Sequence, residues 1–210
     1  DFALDPGGRI TGRFTDAVST FEKAVTLDPQ DGELKTYLAQ AHISARQYEK
    51  GLALVRAERA SDPRDVRLAR LEADALRGLG RFTEGAALLK SIADASRDDA
   101  APAQALAEYY ASDHRYAEAA ALLTRALESD PDNLGALFQF GAMLERQKQF
   151  AEAEKVFRQV IAKDPQHAPS LNYLGYTLVE RGARLDEAAA LIKQAVDLDP
   201  HNGSYLDSLG

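Results

Sequence analysis

Apolar positions along the chain recur with the spacing of amphipathic helices, and the pattern itself repeats. A large apolar or aromatic residue returns at nearly every 34th position, as Phe14, Tyr48, Phe82, Tyr116, Phe150 and Leu185. Three residues after each comes a residue no larger than alanine, and four residues later a bulky one. Small and bulky residues therefore lie one turn apart on the same helical face. Since no segment shows sustained alternation, the pattern predicts helices and essentially no strand.

Two series of small residues follow this period. The first is Ala17, Gly51, Gly85, Ala119, Ala153 and Ala188, and the second is Ala39, Ala73, Ala107, Gly141, Gly175 and Gly210. The two series fall on successive predicted helices. Small residues on facing helices let the helix axes approach closely, which predicts antiparallel helix pairs.

Prolines and capping residues mark where these helices begin and end. Five of the eight prolines keep the period, at Pro29, Pro63, Pro131, Pro165 and Pro200, and Arg97 fills the missing position. Shortly after each position comes a residue that can cap the next helix, in the series Asp31, Asp65, Asp99, Asn133, His167 and Asn202. Such side chains accept hydrogen bonds from the free N–H groups of a first helical turn.

The repeated helix–turn–helix pattern, with its Ala-x3-Phe and Pro positions, resembles the tetratricopeptide repeat (TPR) family. The resemblance implies an all-α fold, a right-handed solenoid of antiparallel helix pairs without a sheet. We expect an irregular segment at 1–12, the second helix of a partial repeat at 13–31, and the start of a further repeat at 203–210. Full repeats are expected at 32–65, 66–99, 100–133, 134–167 and 168–202, the last with one inserted residue in its turn.

Charge and composition exclude several classes of protein. Lys+Arg number 25 and Asp+Glu 33, and the net charge of −8 argues against binding nucleic acid through net charge. No apolar run approaches the ~18–20 residues of a membrane span, so we expect no membrane insertion by this segment. The absence of cysteine excludes disulfides, cysteine-ligated metals and thiol nucleophiles.

Candidate chemistry is sparse. The four histidines, His42, His114, His167 and His201, are scattered without the spacing of metal ligands. The chain has no glycine-rich phosphate-binding motif and no nucleophile elbow. We therefore expect no catalytic residues, no metal site and no cofactor.

Binding is the remaining function, and the TPR resemblance implies where it occurs. In that family, the first helices of the repeats line a concave groove that holds a peptide or a partner's helix. The corresponding positions here are Arg67, Arg70, Asp74, Arg77, Gln104, Glu108, Phe138, Asn172 and Tyr176. The family's carboxylate clamp and its asparagine ladder both lack their residues in this chain.

The groove positions carry two kinds of chemistry. Arg67, Arg70 and Arg77 share one helical face and form a cationic stripe that would bind a ligand's carboxylates, unless Asp74 and neighbouring glutamates neutralise it. Phe138 and Tyr176, one repeat apart, either form an aromatic wall beside Asn172 or pack between neighbouring helices. The expected partner is thus a protein or peptide with acidic and apolar groups.

One repeat departs from the pattern at Glu72, where the other repeats have a large apolar residue. In one interpretation the helix rotates slightly, so that Leu71 is buried and Glu72 meets solvent. In the other, Glu72 and Glu58 form a polar junction that lets the superhelix bend, with Arg59 or Arg70 as the partner that a buried carboxylate requires.

The sequence favours a non-catalytic scaffold or adaptor for protein–protein interaction. Arginine exceeds lysine and alanine is abundant, which is typical of a bacterial chain from a GC-rich genome. The C-terminal repeats resemble those of bacterial envelope TPR adaptors, which favours the periplasm over the cytoplasm. Two alternatives stay open: a recruiting or regulatory segment of a larger enzyme, and self-assembly through the apolar end at Leu206 and Leu209.

Overall fold

The computed structural model describes residues 12–96, 99–182 and 184–209, and these residues form helices and no strand. The helices are α1 (Gly12–Leu27), α2 (Gly32–Ser44), α3 (Tyr48–Arg59), α4 (Val66–Gly78), α5 (Phe82–Ala95), α6 (Ala100–Ser112), α7 (Tyr116–Ser129), α8 (Leu134–Arg146), α9 (Phe150–Lys163), α10 (Ala168–Glu180), α11 (Leu185–Leu198) and α12 (Gly203–Leu209). The irregular segment expected at 1–12 lies almost wholly outside the described residues, as do Arg97 and Gly210. The prediction of an all-α fold is confirmed.

The chain divides into two compact units, Asp1–Ala105 and Leu106–Gly210. Within each unit, helices that follow one another pack side by side, as α1 to α4 do in the first and α8 to α11 in the second. In addition α2 packs on α4, α8 on α10, and α10 on α12. The first helices of successive repeats therefore touch one another and line one face of each unit.

The predicted caps are present. Asp31 accepts hydrogen bonds from the N–H groups of Glu33 and Leu34, and Asp65 does the same for the first turn of α4. Asp99, Asn133, His167 and Asn202 each accept one from the first turn of their helices. These bonds satisfy N–H groups that have no partner within the helix.

Small residues bring the paired helices into close contact, as predicted. Ala119, Ala153 and Ala188 are fully buried. A Cβ added at Gly141 would lie 2.7 Å from Cε1 of Phe157. That distance is shorter than real contacts allow, so α8 and α9 approach this closely only with glycine at position 141.

The turns within the repeats share a left-handed residue at the same position of each repeat. Arg46, Gly80, His114, Lys148 and Gly182 all have φ between 59° and 74°. Glycine adopts this conformation without the steric cost that a Cβ imposes. Three of these five positions therefore hold a residue whose backbone is strained.

Replacing Lys148 with glycine is expected to stabilise the C-terminal unit by about 1 kcal/mol, because glycine removes this strain. Chemical denaturation followed by circular dichroism measures the change. The reciprocal variant Gly80→Ala is expected to destabilise by a similar amount, since its Cβ would meet no atom within 4 Å and only the backbone is affected. Equal stability of Lys148→Gly and the unaltered protein would contradict the assignment of strain.

Of the two interpretations of Glu72, the one in which it meets solvent is wrong. Glu72 is buried on α4, whereas Leu71 is only half-buried. Two arginines of α3 pair with the carboxylate: Nε of Arg56 and Nε of Arg59 each lie 2.7 Å from one of its oxygens. The polar-junction interpretation named Arg59 correctly, and Arg56 is the second partner. A buried carboxylate is tolerated here because both oxygens receive charged hydrogen bonds.

Candidate functional site

A cleft of about 370 Å³ lies in the C-terminal unit, on the face made by the first helices α8, α10 and α12. Such a volume is at the lower end of the range for ligand pockets. Its lining is Glu145, Arg146, Pro169, Asn172, Tyr173, Tyr176, Asn202, Ser204, Tyr205 and Ser208.

The sequence of α10 determines which of its side chains face the cleft. Leu171, Leu174 and Leu178 are fully buried and anchor one face of the helix in the core. Asn172 and Tyr176, four residues apart, occupy a neighbouring face and line the cleft together. The cap by His167 fixes where this helix begins, and the cap by Asn202 does so for α12.

Asn172 is the polar residue of the cleft with an unsatisfied atom. Asn172 is 8% exposed, and its Oδ1 accepts no hydrogen bond from the described residues. Leaving a buried acceptor unpaired costs about 1–3 kcal/mol. An apolar residue would avoid this cost, so the unpaired acceptor makes Asn172 a candidate binding residue of the cleft.

Glu145, at the end of α8, places a carboxylate in the cleft. The residue is 9% exposed, and its nearest cation, Nε of Arg146, lies 3.7 Å away, beyond hydrogen-bond distance. Burial raises the pKa of the Glu145 carboxyl above its ordinary value; the charge of Arg146 opposes this rise and that of Glu180 adds to it. The cleft thus holds a buried anion with incomplete compensation.

Tyrosine rings form much of the remaining wall. The Tyr176 hydroxyl donates a hydrogen bond to Glu180, which raises the pKa of Tyr176. Tyr205 is buried, and this burial raises its pKa. Tyr173 packs edge-on against Phe138, with ring centroids 5.4 Å apart. The wall therefore offers apolar ring faces beside polar hydroxyl groups.

The other predicted groove residues of this unit do not line the cleft. Phe138 packs against the rings of Phe157, His167 and Tyr173. Of the two alternatives for Phe138, the structure therefore has packing between neighbouring helices and not an aromatic wall with Tyr176. Glu108 accepts a hydrogen bond from Nε2 of Gln139. Gln104, on the same helix as Glu108, belongs to the N-terminal unit and is half-buried.

The cationic stripe lies on α4 in the N-terminal unit, and two of its arginines, Arg67 and Arg77, have carboxylate partners. Arg67 pairs with Asp65 at 3.3 Å and with Glu33 at 3.4 Å, and these two carboxylates raise its pKa. Arg77 pairs with Asp74 at 3.1 Å. Arg70 is exposed and also has an interaction partner. The geometry of Arg67 and Arg77 is that of neutralisation by neighbouring acids, in exposed pairs that contribute little to stability.

Sequence reasoning missed Glu145, although the repeat contains the signal for it. Glu145 lies two periods after Arg77, a predicted groove residue, so it occupies the same position of its helix. Ser204, Tyr205 and Ser208 were missed because the start of the last repeat was not assigned to the groove. A helix of only seven described residues is nevertheless enough to close one side of the cleft.

Comparison with known families decides what kind of protein this is. The family model of the tetratricopeptide repeat matches residues 10–75 and 110–175, which together exceed half of the chain. The chain belongs to the tetratricopeptide repeat family. It is therefore a repeat scaffold of the TPR type, a fold used for protein interaction.

Solved structures share this TPR fold. YrrB, described as a TPR protein with an unusual peptide-binding site, is 21% identical, with a TM-score of 0.56 over 91% of this chain and 98% of YrrB. MamA AMB-1 is 24% identical, with a TM-score of 0.57 over 80% of this chain and 99% of that one. MamA from Desulfovibrio magneticus RS-1 is 26% identical, with a TM-score of 0.58 over 70% and 82%. A search of curated proteins gave no match.

The described residues of this TPR chain provide neither a cluster of metal ligands nor a membrane-spanning helix. Among them, no group of three or more histidines and carboxylates is arranged to hold a metal ion. None of their helices combines the length and the apolar character needed to cross a membrane.

Proposed function

We propose that the chain is a non-catalytic adaptor that binds an extended peptide of a partner protein on the face made by its first helices. The cleft between α8, α10 and α12 carries this proposal, because it places Asn172, with its unpaired acceptor, beside Tyr176. YrrB, which shares the fold, is a TPR protein with a peptide-binding site by its own description.

The chemistry of the cleft suits a peptide. An extended backbone offers N–H and C=O groups along its length, and the amide of Asn172 pairs with either kind. The rings of Tyr173, Tyr176 and Tyr205 offer contact area for the apolar parts of side chains. The acidic partner expected for the arginine stripe on α4 remains a separate prediction for the N-terminal unit.

Replacing Asn172 with leucine is expected to have opposite effects on binding and on stability. The free energy of unfolding should rise by about 1 kcal/mol, because an unpaired buried acceptor is removed. Affinity for peptides selected from a random library on the unaltered protein should fall about tenfold or more, because leucine cannot form hydrogen bonds with the peptide backbone. Denaturation curves and isothermal titration measure the two quantities.

Ser170→Ala is the matched control for this variant. Ser170 lies on the same helix, its Oγ is also buried without a partner, and it does not line the cleft. Its replacement should leave stability equal or higher and peptide affinity unchanged. Selected peptides that bind Asn172→Leu as tightly as the unaltered chain would refute the cleft as the binding site.

A further inference from the structure

We infer that the cleft selects a lysine side chain of the bound peptide, whose ammonium group pairs with Glu145. This inference rests on the proposed peptide-binding function and specifies its ligand. It concerns a different chemistry from the acidic partner expected at the arginine stripe of the N-terminal unit.

The charge of the cleft favours a cation. Glu145 and Arg146 are the charged residues of its lining, and Glu180, four residues after Tyr176 on α10, interacts with the hydroxyl of that tyrosine. These three groups sum to one negative charge. The buried Glu145 would repel a ligand carboxylate, whereas the positive charge of an ammonium group would balance the negative charge of Glu145.

The hydrogen-bonding groups of the cleft favour a charged donor on the ligand over a neutral one. The Glu145 carboxylate has no hydrogen-bond donor among the described residues, since Nε of Arg146 is 3.7 Å away and the Arg146 side chain is 55% exposed. Asn172 contributes a second unsatisfied acceptor, its Oδ1, on a residue that is more than nine-tenths buried. An ammonium carries three donors and no acceptor, which suits a cleft lined by the Glu145 carboxylate and by the unpaired Oδ1 of Asn172.

The shape of the wall fits the remainder of a lysine side chain. Its four-carbon stem can lie along apolar ring surface while the charged end reaches a polar group. Tyr173, Tyr176 and Tyr205 supply that surface around the cleft. The faces of tyrosine rings also attract cations.

The test uses three synthetic peptides with blocked ends that differ at one central residue, which is lysine, glutamine or glutamate. We expect the lysine peptide to bind the unaltered chain about tenfold more tightly than the glutamine peptide, as one charge-assisted hydrogen bond provides. The glutamate peptide should bind most weakly. Titrations monitored by NMR detect such differences even at weak affinity.

Glu145→Gln should abolish the preference for lysine, because the substitution keeps the shape of the side chain and removes its charge. Glu152→Gln is the matched control, since Glu152 is exposed on α9 and makes the same change in net charge outside the cleft. It should retain the preference. A preference that is missing in the unaltered chain, or that persists in Glu145→Gln, would overturn the inference.

Failure of this inference is distinguishable from failure of the proposed function. Library peptides that bind through Asn172 without a preference for lysine would refute the lysine site and leave peptide binding intact. A library that yields no peptide sensitive to Asn172→Leu would refute both. Selection of glutamate-rich peptides at this cleft would assign recognition to Arg146 and likewise contradict the lysine site.

Discussion

Replacing Arg56 and Arg59 together with alanine is expected to destabilise the N-terminal unit by about 3–5 kcal/mol. Glu72 is 3% exposed, and these two arginines of α3 donate to its two oxygens. Without them the carboxylate stays buried on α4 with neither of its two charged hydrogen-bond donors. Chemical denaturation followed by circular dichroism measures the loss, and hydrogen exchange locates it.

Adding Glu72→Leu to this double variant should restore most of the lost stability. A buried ion pair replaced by a well-packed apolar residue is often neutral or stabilising, because no charge has to be desolvated. The control is the pair Arg67→Ala and Arg77→Ala, which removes two arginines from exposed pairs with Asp65 and Asp74. Exposed ion pairs of this kind contribute little to stability. A double variant of Arg56 and Arg59 no less stable than this control would contradict the buried-pair account.

Replacing Phe157 with alanine is expected to cost the C-terminal unit about 3–5 kcal/mol. Phe157 is fully buried on α9 and packs its ring against Gly141, where a side chain would not fit. Its ring centroid lies 6.2 Å from that of Phe138 and 5.5 Å from that of Tyr173. Truncation therefore opens a cavity directly behind the helices that carry the cleft, and peptide affinity should fall with stability.

Two further variants make the Phe157 prediction testable even if the alanine variant does not fold. Phe157→Leu preserves most of the volume and should cost less than about 1.5 kcal/mol. Gln159→Ala changes an exposed residue of the same helix and should stay within about 0.5 kcal/mol of the unaltered chain. Equal stability of the alanine and leucine variants would show that α8 and α9 do not pack through this ring.

The repeat made the helices and their caps predictable from sequence. Each helix is specified locally, by a small residue such as Ala153, a bulky one such as Phe157, and a capping side chain such as Asn133. Because neighbouring repeats have the same spacing, a wrongly placed boundary in one helix would have disagreed with the boundaries of the others. Local propensity, pattern and turn chemistry thus all favoured the same fold.

The site was less predictable, because it depends on which side chains meet across different helices. Asn172 and Tyr176 lie four residues apart on one helix and both line the cleft, but Glu145 and Tyr205 reach it from helices before and after. The position of a charged residue in its repeat also does not reveal which side chain on another helix pairs with it. Glu72 was open to two interpretations, since its arginine partners lie 13 and 16 residues away on another helix.

The most direct test of the account is an NMR titration of the isotope-labelled chain with a peptide selected from the random library. We predict that the largest shift changes occur at the lining residues Glu145, Asn172, Tyr176 and Tyr205, and that exposed residues of α9 such as Gln159 stay unchanged. Changes centred on α9 or α11, or changes that persist in Asn172→Leu, would contradict binding at the cleft.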